Sequence, residues 1–473
     1  MKKSILSVTM ALLASSTMLA QFRPGDKTGI NVFETPKTET KFDGVKVTFG
    51  GGFTQGFQTL KHSNKAISVP KAAVNPVGAK AGSDAYDATK LTPIRAGFNL
   101  ASANLAINTI LADGVALKME LNLASRHHNE TWVKGGFIQM DKIPFLKLDF
   151  VDNIMKYTTI KIGQMDVNYG DAHFRRTDGG NAIYNPFVEN YIMDEFATEV
   201  GVEADVNYNG IVGVASITNG LLKGNISVVD STFNTSVTPK TLISAGKNNP
   251  AFIGKLGYDK QFTEDLRIRA TGSVYYTAGS VSNTLMWGDR TGSNYFGVME
   301  YAAPSTSNAW SGRYNPGYGD KLSTLMGNLF VKFKGLEWFT TIESASGRGM
   351  KEATGERKTS QIATDLVFRF GKDENFWVGG RYNFLKSQQY LSADLPAILP
   401  ATPLSNGYTF NAVSKGMYDV SIDRVAISAG WFITKNVMAK IEYTNQNYGG
   451  FLYNDIRSKG NFNGIVAQAV VGF

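Results

Sequence analysis

Residues 115–124 read Val-Ala-Leu-Lys-Met-Glu-Leu-Asn-Leu-Ala, and this stretch decides the fold class. The odd-numbered residues from 115 to 123 are all large and apolar, whereas the even-numbered ones include Lys118, Glu120 and Asn122. Side chains of a β-strand point alternately to its two faces, so a period of two predicts a strand with one apolar and one polar face. Ten residues are also the length of a tilted strand that crosses a membrane.

The same alternation recurs in residues 199–208, 266–276 and 437–444. The polar face carries Glu199, Glu203 and Asp205 in the first segment, Arg267 and Arg269 in the second, and Lys440 and Glu442 in the third. In each segment the charges lie on one side only. Alternation alone does not say which side is wet, because a soluble β-sandwich would turn its apolar face inward.

The lengths of the connections separate these two alternatives. Short turns are predicted at Asp113-Gly114, near Asp152-Asn153, at Asn209-Gly210, at 263–265, at Lys334-Gly335, at 372–375 and at 434–436. Longer polar connections alternate with them, at 57–91, 126–131, 169–197, 221–249, 278–321, 346–358, 388–417 and 447–459. Seven short turns and eight long loops imply sixteen antiparallel strands, with 14–18 as the range. The regular alternation of short and long connections predicts an all-β transmembrane barrel with long outer loops and short periplasmic turns. A β-sandwich does not require its short and long connections to lie at opposite ends.

The composition excludes several other classes of protein. The 473 residues contain no cysteine, which removes disulfides, thiol nucleophiles and iron–sulfur clusters. The chain carries 49 Gly, 29 Phe and 20 Tyr but only 14 Pro, which favours ordered β-structure. The formal net charge is +8 and no block of basic residues occurs, so we expect no nucleic-acid partner.

The amino terminus predicts export. Lys2 and Lys3 precede an apolar run and small residues that end at Ala20, which is typical of a signal peptide over residues 1–20. We expect residues 21–44 to form a periplasmic amino-terminal segment and residues 45–473 to form the barrel.

Aromatic residues near the predicted strand ends indicate membrane boundaries, where such rings are enriched. They are Phe49, Phe53, Trp132, Tyr157, Trp338, Phe370, Phe376, Trp431 and Tyr443. The last predicted strand ends at Phe473. In this the chain resembles bacterial outer-membrane proteins, and the resemblance implies that the barrel-assembly machinery reads its final strand.

Residues 159–170 read Thr-Ile-Lys-Ile-Gly-Gln-Met-Asp-Val-Asn-Tyr-Gly. This stretch resembles the passage from strand to loop in the porin O/P-like family of Bacteroidota-type porins. Gly163 and Gln164 match the Gly-Gln pair of that family, whereas Val167 and Asn168 stand where a proline is common. The resemblance implies a porin. It does not imply phosphate selectivity, because the arginine ladder and lysine cluster of the phosphate-selective members have no clear match here.

Sixteen tilted strands about 4.8 Å apart close a barrel about 30 Å across, too wide for wall side chains to fill. We therefore expect the third long connection, residues 171–198, to fold inward and constrict the lumen, as the third loop does in trimeric general porins. The alternative is a solvated surface loop. The candidate constriction residues on this loop are Asp171, His173, Arg175, Arg176, Asp178 and Glu189.

The strand charges on the polar face are the second group of candidates for pore lining. They are Lys118, Glu120, Glu199, Glu203, Asp205, Arg267, Arg269, Arg381, Lys440 and Glu442. Both signs are present, so we expect weak ion selectivity.

Catalysis is not predicted. The four histidines do not form a recognisable acid–base or metal site, and no nucleophile motif occurs, so we expect no enzyme and no cofactor. The leading hypothesis is a passive outer-membrane porin for small hydrophilic solutes, with outer-membrane lipids around it and a homotrimeric state by analogy. The alternatives are a hydrophobic-solute transporter of fourteen strands with residues 21–44 as a plug, and a structural or adhesive protein with a blocked lumen.

Overall fold

A computed structural model describes residues 23–35, 37, 42–67, 70–71, 86–87, 89–123, 131–224, 233–234, 241–242, 248–288, 292–301, 311–349, 352, 355–395 and 412–473. The predicted signal peptide, His127 and His128 lie outside these ranges. Within them, sixteen long strands and the two-residue strand Gly97–Phe98 form one antiparallel sheet, in which each long strand pairs with its neighbours in the chain. The long strands are β1 Lys46–Ser63, β2 Ser102–Ala112, β3 Val115–Asn122, β4 Trp132–Met140, β5 Thr158–Asp166, β6 Thr198–Tyr208, β7 Ile211–Thr218, β8 Ala251–Gln261, β9 Leu266–Thr277, β10 Leu322–Phe333, β11 Leu336–Gly347, β12 Arg357–Phe370, β13 Phe376–Leu391, β14 Gly416–Phe432, β15 Val437–Gly449 and β16 Asn461–Gly472.

The sheet closes on itself because β1 pairs on both sides. Gly52 in β1 lies opposite Gly472 in β16 and also opposite Asn104 in β2. Closure leaves no free sheet edge, so the strand backbones of the wall are satisfied by their neighbours. The predicted closed antiparallel barrel of sixteen strands is confirmed, and the fourteen-strand alternative is wrong.

Short elements complete the description. Two-residue strands occur at Gly97–Phe98, Pro70–Lys71, Tyr86–Asp87, Phe233–Asn234 and Thr241–Leu242, and 3-10 turns occur at Lys27–Gly29, Ala172–Arg175, Gly179–Ile183, Leu285–Trp287 and Lys372–Glu374. The helix α1 spans Asp149–Met155. In the described part of the chain, no helix is both long and apolar enough to cross a membrane.

Six of the seven predicted short turns lie where the sequence indicates them. The seventh, near Asp152-Asn153, is wrong, because β4 and β5 are joined by residues 141–157, which include α1. Asp149 and Asp152 lie in the first turn of α1, where carboxylates interact favourably with the helix dipole. The helix leaves Phe150 and Ile154 exposed at the short-turn end of the barrel.

The two faces of the wall differ as the alternation predicts. Val202 and Ile441 are exposed on the outside, whereas Glu203 and Glu442 on the same strands are buried inside. Large apolar side chains are exposed around the outer surface, and in the sixteen long strands the most exposed of them is Leu256 at 69%. Aromatic rings stack near the short turns, within β12 (Phe368 on Phe370) and between neighbouring strands (Phe370 on Phe376, and Phe376 on Trp431).

Three segments enter the barrel from its ends. Residues 23–35 lie inside the short-turn end, where Phe33 is buried between Phe174 and Phe330. Residues 167–197, which connect β5 to β6, are almost entirely buried in the lumen. Described parts of the connection from β9 to β10 pack above them, so that Tyr295 and Val298 are buried. The amino-terminal segment, predicted as periplasmic from its sequence, therefore has residues that reach into the lumen.

Candidate channel interior

Residues 167–197, called the inward loop below, are held against the wall by hydrogen bonds to the loop backbone. The ammonium group of Lys440 donates to the carbonyl oxygens of Ala182, Asn185 and Phe187 at 3.0, 2.9 and 2.7 Å. Lys440 is itself buried, with 3% of its surface exposed. A buried ammonium group and three buried carbonyls each need a partner, and here they satisfy one another.

Backbone N–H groups of the inward loop are satisfied in the same way. The amide of Val188 donates to Glu442 Oε2 at 2.8 Å. The amides of Ile192 and Met193 donate to Asn383 Oδ1 and Gln361 Oε1 at 2.6 and 3.0 Å. The polar face of β12, β13 and β15 thus replaces the hydrogen bonds that irregular backbone would otherwise make to water.

Two wall arginines add further contacts. Arg381 forms a bidentate pair with Asp365 at 2.7 and 2.8 Å and also donates to the carbonyl of Glu189. Its guanidinium group lies 4.1 Å from the ring centroid of Phe187, which places it for a cation–π contact. Arg424 donates to the carbonyl of Asn190 at 2.7 Å.

Glu189 turns its own carboxylate toward the outer half of the barrel. It accepts from Ser293 Oγ at 2.6 Å and pairs with Arg313 at 3.2 Å. Both partners belong to the connection between β9 and β10. Burial raises the pKa of Glu189, but Arg313 and the hydrogen bond from Ser293 outweigh it and hold the pKa below its usual value. Glu189 therefore links the two loops that fill the lumen.

Asp171 connects the inward loop to strands β8 and β9 of the wall and to the amino-terminal segment. It pairs with Arg269 at 2.8 Å and with Lys255 at 3.1 Å. Glu34 approaches the same two cations, at 2.7 and 3.3 Å. Burial raises the pKa of Asp171, but the positive charges of Lys255 and Arg269 outweigh it and hold the pKa below its usual value.

Asp178 and Arg176 of the inward loop are also paired. Asp178 contacts Lys134, which reaches Glu120 at 3.1 Å, and Arg176 contacts Asp194. Burial raises the pKa of Asp178, but Lys134 and Arg176 hold it below its usual value.

Arg175 occupies a different environment from its neighbour Arg176. Its guanidinium group lies 4.8 Å from the ring centroid of Phe339 and 3.9 Å from the carboxylate of Glu337. Arg369 also binds Glu337, at 2.8 Å, so two arginines share this carboxylate.

Apolar packing also holds the inward loop in place. Val188, Ile192 and Met193 belong to one buried cluster with Leu285 and Tyr295 of the connection between β9 and β10. A second cluster brings Ile183 and Phe187 against Trp377 and Phe432 of the wall. The half of the lumen bounded by β8 to β16 is therefore largely filled by protein.

Burial shifts the pKa values of two other residues of the inward loop. Burial and the neighbouring carboxylate of Glu343 raise the pKa of Glu195 well above its usual value. Burial and the positive charge of Lys255 lower the pKa of His173 well below its usual value, so this imidazole is neutral near pH 7. In the part of the chain that the structure describes, no group of three or more metal-ligating side chains is close enough to hold a metal ion.

A cavity of about 600 Å³ remains along the wall formed by β1 to β6. It is bounded by lumen-facing residues of β1 to β6, by the inward loop and by the amino-terminal segment. It reaches the short-turn end at Lys435, whose side chain is 69% exposed and pairs with Asp26. Glu120, Asp166 and Arg176 also line it.

Six of the sixteen candidate residues line this cavity: Lys118, Glu120, His173, Arg176, Glu203 and Asp205. The other ten do not, and most of them hold the loops or neighbouring strands in place: Asp171, Arg175, Asp178, Glu189, Glu199, Arg267, Arg269, Arg381, Lys440 and Glu442. Arg267 instead lines a separate pocket of about 450 Å³ at the short-turn end. Whether any of the sixteen contacts a passing solute stays a prediction.

Sequence reasoning missed several cavity residues. Lys161 lies between Glu203 and Asp205 at 2.8 and 2.6 Å, and the alternation of β5 could have placed it. Asp166 ends β5, where the chain turns into the lumen at Val167, so alternation does not predict its side. Asn104 is uncharged and therefore gave no signal.

No protein-family model matches the chain, and no curated protein sequence matches it. Among solved structures, it is similar to the outer-membrane expressed OmpT of Vibrio cholerae, with a TM-score of 0.45 and 10% identity over 92% of this chain and 99% of that chain. It is also similar to the outer membrane channel DcaP of Acinetobacter baumannii, with a TM-score of 0.44 and 14% identity over 91% of this chain and 98% of that one. Similarity at this level is too low to transfer a function.

Proposed function

We propose that this protein is an outer-membrane channel through which small polar solutes diffuse passively along the wall formed by β1 to β6. The observation that carries the proposal is the cavity of about 600 Å³ with charged and amide side chains on its wall. The apolar outer surface supports the membrane location, because soluble proteins rarely expose so much contiguous apolar area to water.

The chemistry of the cavity also bears on the alternatives. Its wall presents carboxylates, ammonium groups and amides, which favour hydrated solutes over hydrophobic ones. A structural role with a closed lumen is the second candidate, and the apolar clusters between the inward loop and the connection from β9 to β10 favour it.

Conductance in planar bilayers tests the proposal. Protein extracted in detergent, shown to be folded by heat modifiability on a gel, should add discrete conductance steps, and the same sample after heat denaturation should not. Folded protein without conductance would contradict the channel and favour the closed barrel. In that case a variant lacking residues 171–198 should conduct.

The finer assignments are further parts of the proposal. Residues 1–20 direct export, the final strand with Phe473 is recognised by the barrel-assembly machinery, and the protein acts without catalysis. The Gly163–Gln164 match supports a relationship with the porin O/P-like family of Bacteroidota. A homotrimer is the oligomeric state to test by cross-linking in native membranes.

A further inference from the structure

Carboxylates outnumber ammonium groups on the cavity wall built by β3, β5 and β6. The acidic side chains are Glu120, Asp166, Glu203 and Asp205, and the basic ones are Lys118 and Lys161. Lys134 of β4 pairs with Glu120 at 3.1 Å, so four carboxylates against three ammonium groups leave a formal charge of 3 − 4 = −1 on this wall. Low-dielectric walls concentrate the field of such a charge in the space between them.

Part of this charge is not neutralised by the protein. Lys161 binds Glu203 Oε1 and Asp205 Oδ2, but the second oxygen of Asp205 is buried and accepts no hydrogen bond from any described residue. The carboxylate of Asp166 lines the cavity and makes no hydrogen bond or ion pair within the described ranges. Lys118 also lines the cavity, and its positive charge acts on Asp166.

Two asparagines add acceptors to the same wall. Asn104 has only 7% of its surface exposed, and its Nδ2 donates to Glu120 Oε1 at 2.8 Å. This hydrogen bond fixes the orientation of the amide, which leaves Asn104 Oδ1 buried at the cavity without a donor among the described residues. Asn108 Oδ1 is in the same state. A buried acceptor without a donor is costly, so these atoms favour a ligand that brings one.

The other charged groups around the cavity are already engaged. Asp26 pairs with Lys435, Glu34 with Arg269, and Arg176 with Asp194, while Arg23 donates to the carbonyls of Gly29 and Phe174. Over the whole lining, five cationic side chains face six carboxylates, which gives 5 − 6 = −1. The unengaged groups are therefore mainly acceptors.

We propose that this wall is a binding surface for small cationic solutes, in particular primary amines, and that it disfavours anions. The amine would donate to Asp166, Asp205 Oδ1 and the two asparagine oxygens as it passes. This inference rests on the proposed channel function and adds the class of solute to it.

Reversal potentials in planar bilayers with a KCl gradient test the proposal. The wild-type channel should prefer potassium over chloride. The double variant Asp166→Asn, Asp205→Asn should lower the cation-to-anion permeability ratio by about fivefold per carboxylate, the size of one charge contact at about 4 Å in water. Lys118→Met should raise the ratio, so the two changes act in opposite directions.

Glu199→Gln is the matched control, because this lumen-facing carboxylate of β6 is bound by Tyr275 and Thr218 away from the cavity. It should leave the permeability ratio unchanged. Heat modifiability on a gel establishes that each variant is folded before it is measured.

Swelling of protein-loaded liposomes gives a second readout with named solutes. Lysine should enter faster than glutamate through the wild type, and the difference should shrink in the double variant. A conducting wild type without cation preference, or a preference that survives the double substitution, overturns the solute class and leaves the channel function standing. Folded wild-type protein without any conductance overturns the channel function, and the solute class with it.

Discussion

Lys440→Met should release the inward loop while leaving the barrel intact. The substitution removes the donor for three buried carbonyls of residues 182–187 and keeps a side chain of similar length. A buried polar group that loses its partner costs about 1–3 kcal/mol, so three carbonyls cost at least about 3 kcal/mol. Because about 1.4 kcal/mol is a tenfold change in an equilibrium constant, local opening of the loop should become roughly 100-fold more frequent.

Hydrogen exchange of the detergent-solubilised protein, read by mass spectrometry, measures this opening. Peptides that cover residues 182–193 should exchange much faster in Lys440→Met, whereas peptides from β12 and β13 should be unaffected. Lys386→Met is the control, since Lys386 and Asp419 form a pair that is more than half exposed, and such surface pairs contribute little to stability. Equal hydrogen-exchange rates of residues 182–193 in the wild type and in Lys440→Met would refute the reasoning that Lys440 holds the inward loop in place.

Three further outcomes are expected. Deletion of residues 23–35 should raise single-channel conductance, because these residues bound the short-turn end of the cavity, and an unchanged conductance would count against that. Gly51→Val should impair barrel formation on a heat-modifiability gel, since a β-carbon there would lie 2.6 Å from Asn104 O; normal folding would contradict this. Burial and Glu343 raise the pKa of Glu195, so wild-type stability should fall as pH rises from the ordinary glutamate range toward the raised pKa. Glu195→Gln should lack this slope in denaturant unfolding at several pH values, and identical slopes would contradict the shift.

The sequence predicts the wall of the barrel well because a wall residue needs only local information. A period of two places Lys118 and Glu203 on the inner face whatever lies opposite them. Turn chemistry does the same for Asn209-Gly210, where φ is positive at both residues, as a tight hairpin between β6 and β7 requires. The connection at 141–157 shows the limit of this reasoning, since a turn signal there did not reveal α1.

The contents of the lumen are less predictable because they depend on contacts between distant residues. Lys440 lies 258 positions from Ala182, whose carbonyl it binds, and no local pattern links the two. The same holds for Arg269, which was expected to face water and instead pairs with Asp171 and Glu34. An inward-facing charge is therefore predictable, whereas its partner is not.

The distribution of partners explains why the open space lies on one side of the barrel. Irregular backbone inside a membrane barrel is tolerated only where other groups satisfy its N–H and C=O groups. The wall from β12 to β15 supplies these hydrogen-bond partners. They are the side chains of Lys440, Glu442, Asn383 and Gln361, and each of them is hydrogen-bonded to the backbone of the inward loop. On the wall from β1 to β6, the acceptor oxygen of Asn104 instead has no donor among the residues that the structure describes. The polar groups that hold the loop are already engaged, so the proposed solute path follows the wall that the loop leaves uncovered.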